Sequence, residues 1–117
     1  MPATPPTTGR PDTTPTFFST LAASGPAPEI GVTIPDLYGF LIGSWDAEVV
    51  DHLPEGDRRQ SAELHFARVL EGRAVQDLWI APAVPDRPVI PAAGNRFGTT
   101  LRTFDPAIGA WRVTWIN

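Results

Sequence analysis

"FLIGSWDAEVVDHL" (residues 40–53) changes its period in the middle. Phe40, Leu41 and Ile42 form an apolar run that fits one helical turn, which Gly43 stops. From Ser44 onward, Trp45, Ala47 and Val49 alternate with Ser44, Asp46 and Glu48, the pattern of a strand with one face toward a core. Gly43 is where the chain stops turning and the first long strand begins. Asp36, just after Pro35, is placed to cap the turn.

Working outward, "PEGD" (54–57) has turn chemistry, and Arg58 to Leu70 carries Ala62, Leu64 and Phe66 on one parity with Glu63 and His65 on the other. Pairing Leu53 with Arg58 sets Trp45 against Phe66, Ala47 against Leu64 and Val49 against Ala62. The other face then opposes Asp46 to His65 but Glu48 to Glu63, and a slip of two residues would set Glu48 against His65 instead. Both registers keep the same residues on the apolar face, because only an odd slip exchanges faces. "EG" (71–72) makes the next turn into "RAVQDLWI" (73–80). A two-residue loop puts Val75, Asp77 and Trp79 on the side of Leu64 and Phe66, with Arg68 diagonal to Asp77. A three-residue loop with a bulge reverses this and brings Asp77 opposite His65. The shorter loop is preferred because it buries Trp79.

Residues 81–95 contain four prolines and are too long for an ordinary hairpin connection, so a mobile loop or lid is expected. Phe97, Thr99, Leu101 and Thr103 then alternate through 96–104. "DPAIG" (105–109) is a type I turn with a following glycine, after which Trp111, Val113 and Trp115 are expected on the face of Leu101. Arg102 and Arg112 then oppose each other on the outer face, where they suit an anionic partner. The sum is an all-β, antiparallel meander of about five strands with all four tryptophans on one side. Such a face needs a second layer. The chain stops at "WIN" in mid-strand, so the expectation is the first half of a larger barrel or a homodimer whose two copies complete each other.

Eight of the 14 prolines lie before residue 36, and proline sustains neither a helix nor a sheet ladder. Residues 1–35 therefore read as a disordered segment and 36–117 as the single domain. No stretch has the length of a signal sequence core or a membrane span, and a soluble cytoplasmic protein is expected. The net charge is −4 and there is no lysine, which argues against nucleic acid as a partner. With no cysteine, disulfides and thiolate metal sites are excluded.

The helical turn running into Gly43-Ser44-Trp45 resembles the start of the lipocalins and the wider calycin barrels. Joined to "VLEGRAVQDLWI" (69–80) and "GTTLRTFDPAIGAWRVTW" (98–115), it resembles an uncharacterised bacterial family with a lipocalin-like barrel and no assigned activity. The resemblance covers Asp36 to Asn117 and implies further strands beyond it. The haem-binding nitrobindins, which start similarly, carry glycines where Ala47 and Val49 stand here, so neither haem nor another cofactor is expected.

Trp45, Leu64, Phe66, Trp79, Leu101, Trp111 and Trp115 are the candidates to line a cavity for a small hydrophobic or aromatic molecule. Trp45 is also explained as a plug packed on Phe66, since aromatic residues dominate small cores in any case. Arg68 and Asp77 on the apolar face are the candidates for a ligand anchor, or for acid–base work in a small cyclase, isomerase or hydrolase. His65 with Glu63 and Glu48 falls short of a convincing metal set and reads as a solvated strand position, as does His52 beside its turn. An exposed sheet serving as an assembly surface is the third reading.

Overall fold

The computed structural model describes residues 14–28, 33–87 and 94–117. The disorder expected of 1–13 and 29–32, and the lid expected of 88–93, lie outside the described residues. The described chain is an open, antiparallel all-β meander with one short helix. Helix α1 spans Thr14–Leu21, and the strands are β1 (Ala22–Ala23), β2 (Gly43–Leu53), β3 (Gly56–Val69), β4 (Ala74–Ala81), β5 (Arg96–Asp105) and β6 (Ala110–Ile116). β3, β4, β5 and β6 follow one another across the sheet, and β2 pairs with β3. β1 pairs with β3 at Val69 and Arg68, on the edge that β2 leaves at Phe66.

The entry into β2 is tighter than a capped helical turn. Only Gly39–Leu41 is helical, as one 3-10 turn, and no side chain caps it. Asp36 instead accepts from Arg68 Nη2 at 3.1 Å. Gly39 permits this approach, because a Cβ there would collide with Asp36 Oδ1 and lie 2.7 Å from Arg68 Nη2. Gly43 then takes φ +132°, which an L side chain rarely adopts, and the chain straightens into β2.

The first hairpin turns on two residues, Pro54 and Glu55, with Leu53 opposite Gly56. Trp45 therefore faces Leu64, Ala47 faces Ala62 and Val49 faces Gln60, shifted by two from the expected pairing with Phe66. The faces are unchanged, as an even slip requires. This register pairs charge directly: Asp51 lies opposite Arg58 and His52 opposite Asp57, with salt-bridge distances of 2.9 Å and 2.8 Å. Asp46 is left opposite Glu63, whose carboxylate turns to the Val84 N–H at 2.5 Å.

The second hairpin takes the register of the shorter loop, with Leu64 opposite Trp79 and Phe66 opposite Asp77. Pairing of β3 with β4 ends at Val69 and Ala74, and Leu70–Arg73 makes the turn with Leu70, Glu71 and Gly72 all at positive φ. The third hairpin differs from expectation. Asp105 lies opposite Ala110, so four residues close the loop: Asp105 O accepts from the Ile108 N–H at 3.3 Å, and Gly109 sits at φ +62°. That even count puts Leu101 opposite Thr114 and Arg102 opposite Val113. Leu101 therefore lies on the face away from Trp111 and Trp115, while Arg102 lies on the face with them. Arg112 sits opposite Thr103 and pairs with Asp105 at 2.8 Å, so the expected pairing of the two arginines on the outer face is corrected.

All four tryptophans do share one face. Across the register it carries Trp45, Leu64, Trp79 and Gly98 in one row, and Phe66, Asp77, Thr100 and Trp115 in another. Among the described residues the buried apolar ones are Ala62, Val69, Ala74, Val75, Ile80 and Ala81, all on β3 and β4. Arg96 on β5 reaches Asp51 on β2 at 2.7 Å. On a flat sheet, three strand spacings and a four-residue offset would separate those backbones by about 19 Å, more than the two side chains can span. The sheet therefore curls toward its tryptophan face.

Part of the second layer comes from the N-terminal segment. Ala27 N–H donates to Gly72 O at 3.3 Å, and a Cβ on Gly72 would collide with Gly25 O. Ile34, Pro35, Asp36 and Tyr38 continue this cover over Arg68, Val75 and Trp111, leaving a void of only about 20 Å³.

Candidate functional site

On the curled face the register brings Asp77 of β4 beside Thr100 and Arg102 of β5. The Asp77 side chain is fully buried. Its Oδ1 accepts from the Thr100 N–H at 3.1 Å and its Oδ2 from Arg102 Nη1 at 2.5 Å. A buried carboxylate needs such partners, and here both oxygens have one. The Arg102 guanidinium lies 5.1 Å from the Tyr38 ring centroid and 5.5 Å from that of Phe66, so two aromatic rings hold the cation that Asp77 neutralises. Tyr38 in turn meets Trp111 edge-on at 5.1 Å, and Trp111 meets Phe104 at 5.7 Å.

Beside this pair lies an open depression of about 370 Å³, lined by Trp79, Arg96, Thr100, Arg102, Val113 and Trp115. Gly98 makes room for one of its walls, Trp115. A Cβ there would collide with Trp115 Cη2 and lie 2.5 Å from Ile116 O, so the indole lies directly on the glycine backbone. Arg102 makes one hydrogen bond among the described residues, to Asp77, out of five donors. Arg96 binds Asp51 on one side and accepts the side chain of Arg87 at its carbonyl, 3.0 Å away. Those arginine hydrogen bonds, Arg96 before Arg58, hold the Asp51 carboxyl below the usual aspartate range.

Of the residues expected to line a cavity, the structure brings Trp79 and Trp115 together at this depression. Trp111 is packed under Tyr38 at the far end, and Phe66 serves as one wall of the arginine cage. Trp45 and Leu64 face each other at the β2 edge, where Trp45 is 45% exposed and ties its Nε1 to Leu41 O at 2.8 Å. Leu101 is on the opposite face. Arg68 is drawn to Asp36, so the cation beside Asp77 is Arg102 and the expected Arg68–Asp77 pair is not formed. Arg96 and Tyr38 are the site residues that sequence reasoning missed, and Arg102, expected on the outer face, lies on the tryptophan face instead. Counting four residues from Pro106 to Gly109 would have moved Arg102 to the correct face.

His65 lies on the other face, opposite Ser44 and Leu78. No group of three or more metal-ligating side chains gathers among the described residues. No helix among them is long and apolar enough to cross a membrane. Compared with known proteins, the chain matches no family model, no curated protein and no solved structure.

Proposed function

We propose that the protein is a lipocalin-like binder of a small, flat, apolar molecule carrying an acidic group, held on the tryptophan face. The observation that carries this reading is the depression in which Trp79, Trp115 and Val113 offer apolar wall while Arg96 and Arg102 offer cationic donors. Aromatic walls suit a planar ligand, and a planar guanidinium suits a carboxylate. Asp77 buffers Arg102 without closing off its remaining donors. The curl of the sheet and the Gly43-Ser44-Trp45 entry support the lipocalin-like side of the proposal.

Titrating the purified chain with aromatic carboxylates and their matched neutral amides, read by tryptophan fluorescence, tests this. Quenching by the acids, weaker for the amides and lost in Trp79→Leu, is the expected result. A flat response across the panel would count against any ligand at this site. A catalytic role for Asp77 is not favoured, because its side chain is fully buried and both oxygens are engaged. The proposal includes a second copy completing the sheet along β6, where Val113, Trp115 and Ile116 are exposed. Light scattering that reports a monomer removes that element alone.

A further inference from the structure

The face away from the tryptophans carries a hydroxyl, an imidazole and a carboxylate in line. Ser44 Oγ lies 2.8 Å from His65 Nδ1, and His65 Nε2 lies 3.0 Å from Glu63 Oε1. The strands enforce this order. Ser44 and His65 are directly opposite across β2 and β3, and Glu63 is two residues from His65, on the same face of β3. Glu63 Oε2 is held by the Val84 N–H, and that bond, followed by the His65 contact, keeps the carboxyl below the usual glutamate range. An ionised carboxylate only accepts. With a neutral imidazole, Nε2 therefore carries the hydrogen, and Nδ1 is left to accept from the Ser44 hydroxyl. The proton of Ser44 is aimed at a base whose other nitrogen is fixed, which is the arrangement that activates a serine nucleophile, here with the ring nitrogens exchanged.

The relay opens onto a largely apolar recess. A cavity of about 380 Å³ is lined by Ser44 and His65 together with Phe18, Leu21, Phe66 and Leu78 among others. α1 and β1 form its roof, which explains why an eight-residue helix with Phe17 and Phe18 largely exposed is docked here at all. Gln76 also lines the cavity; its Nε2 gives one hydrogen to Thr99 Oγ1 at 2.9 Å and has no second partner among the described residues. No residue lining the depression on the tryptophan face also lines this cavity, so the two sites are tested separately.

We propose that Ser44, His65 and Glu63 form an acyl-transfer site that takes small esters of apolar acids, with the acyl chain lying under α1. Ser44 Oγ attacks the ester carbonyl carbon as His65 Nδ1 takes its proton. The tetrahedral adduct collapses, the C–O bond to the alcohol breaks, and His65 returns the proton to the departing alkoxide. A water then attacks the acyl-serine with His65 again as base, releasing the carboxylic acid and restoring the Ser44 hydroxyl. The net change is ester plus water to acid plus alcohol, with no other reactant. Ser44 and His65 are the catalytic residues, and Glu63 is a positioning residue.

The test uses the full chain with 4-nitrophenyl butyrate, followed by an alkyl fluorophosphonate and peptide mass mapping. Turnover above buffer, a fall of at least about 100-fold in Ser44→Ala and in His65→Ala, and a phosphonyl adduct on Ser44 are expected. Glu63→Gln should lower kcat and leave KM in place, a split that a carboxylate serving only the sheet would not produce. A rate equal to buffer, a rate kept in Ser44→Ala, or an adduct on any other residue overturns the proposal.

Discussion

Trp45 Nε1 donates to the carbonyl of Leu41 at 2.8 Å, across the glycine that separates turn from strand. The indole thereby satisfies a carbonyl at the end of the 3-10 turn and fixes the angle at which β2 leaves it. Trp45→Phe keeps most of the ring and removes this bond. The expected cost is about 1 kcal/mol or less, since the bond is partly solvated, read as a lower urea midpoint with an unchanged slope.

Gly98→Ala should be far more damaging than its size implies. The added methyl has to occupy space filled by Trp115 and by the carbonyl of Ile116, and backbone cannot move aside cheaply. A loss of about 1–3 kcal/mol is expected, together with a shift in tryptophan emission as Trp115 is lifted from the sheet. An unchanged spectrum and midpoint would mean that Trp115 does not lie on Gly98.

Asp77→Leu leaves Arg102 charged between two rings with no counter-ion. Breaking one side of a buried pair costs about 3–5 kcal/mol, whereas replacing both partners with apolar residues can be close to neutral. The double variant Asp77→Leu with Arg102→Met is accordingly expected to be more stable than Asp77→Leu alone in denaturant titrations. Additive losses would show that the two side chains are not coupled.

Acid should loosen the molecule through three carboxylates. Asp51, held by Arg96 and Arg58, Glu63, held by Val84 N–H and His65, and Asp105, held by Arg112 and Ala107 N–H, all have their folded pKa depressed. A depressed pKa means that the folded state favours the ionised form more than the unfolded chain does. The stability it contributes is present above the unfolded value and is lost as pH falls through the folded one, here below about pH 4. Melting temperature should therefore drop from about pH 5 toward about pH 3, and the gap between the native chain and Asp51→Asn should shrink over the same range.

The strands and their faces were legible because they depend on parity. Alternation from Ser44 and the Pro54 turn survive an even slip, so Trp45, Leu64 and Phe66 fall on one face in either pairing, whereas the face of Trp79 rested on choosing the two-residue loop at Glu71-Gly72. The β5–β6 loop offered no such protection, and one residue of loop length moved Leu101 out and Arg102 in. α1 was invisible for another reason. "TPTFFSTL" has Phe17, Phe18 and Leu21 at helical spacing, but it is only eight residues long and lies in a proline-rich segment, too short to read as a helix on its own. Arg68 was assigned to Asp77 by proximity along the sheet, but Asp36 approaches it from a layer that strand patterns do not describe.

Ala22 and Ala23 are the smallest element of the fold, and they finish a row of main-chain groups that β2 leaves open. β3 has fourteen residues, and its pairing with β2 ends at Phe66, which would present Arg68 and Val69 as a bare template for any extended peptide. Two alanines from the N-terminal segment occupy that stretch. The proline-rich segment thus acts as a bumper for the longest strand, and a chain lacking residues 1–28 should self-associate through β3 before it loses any of its hairpins.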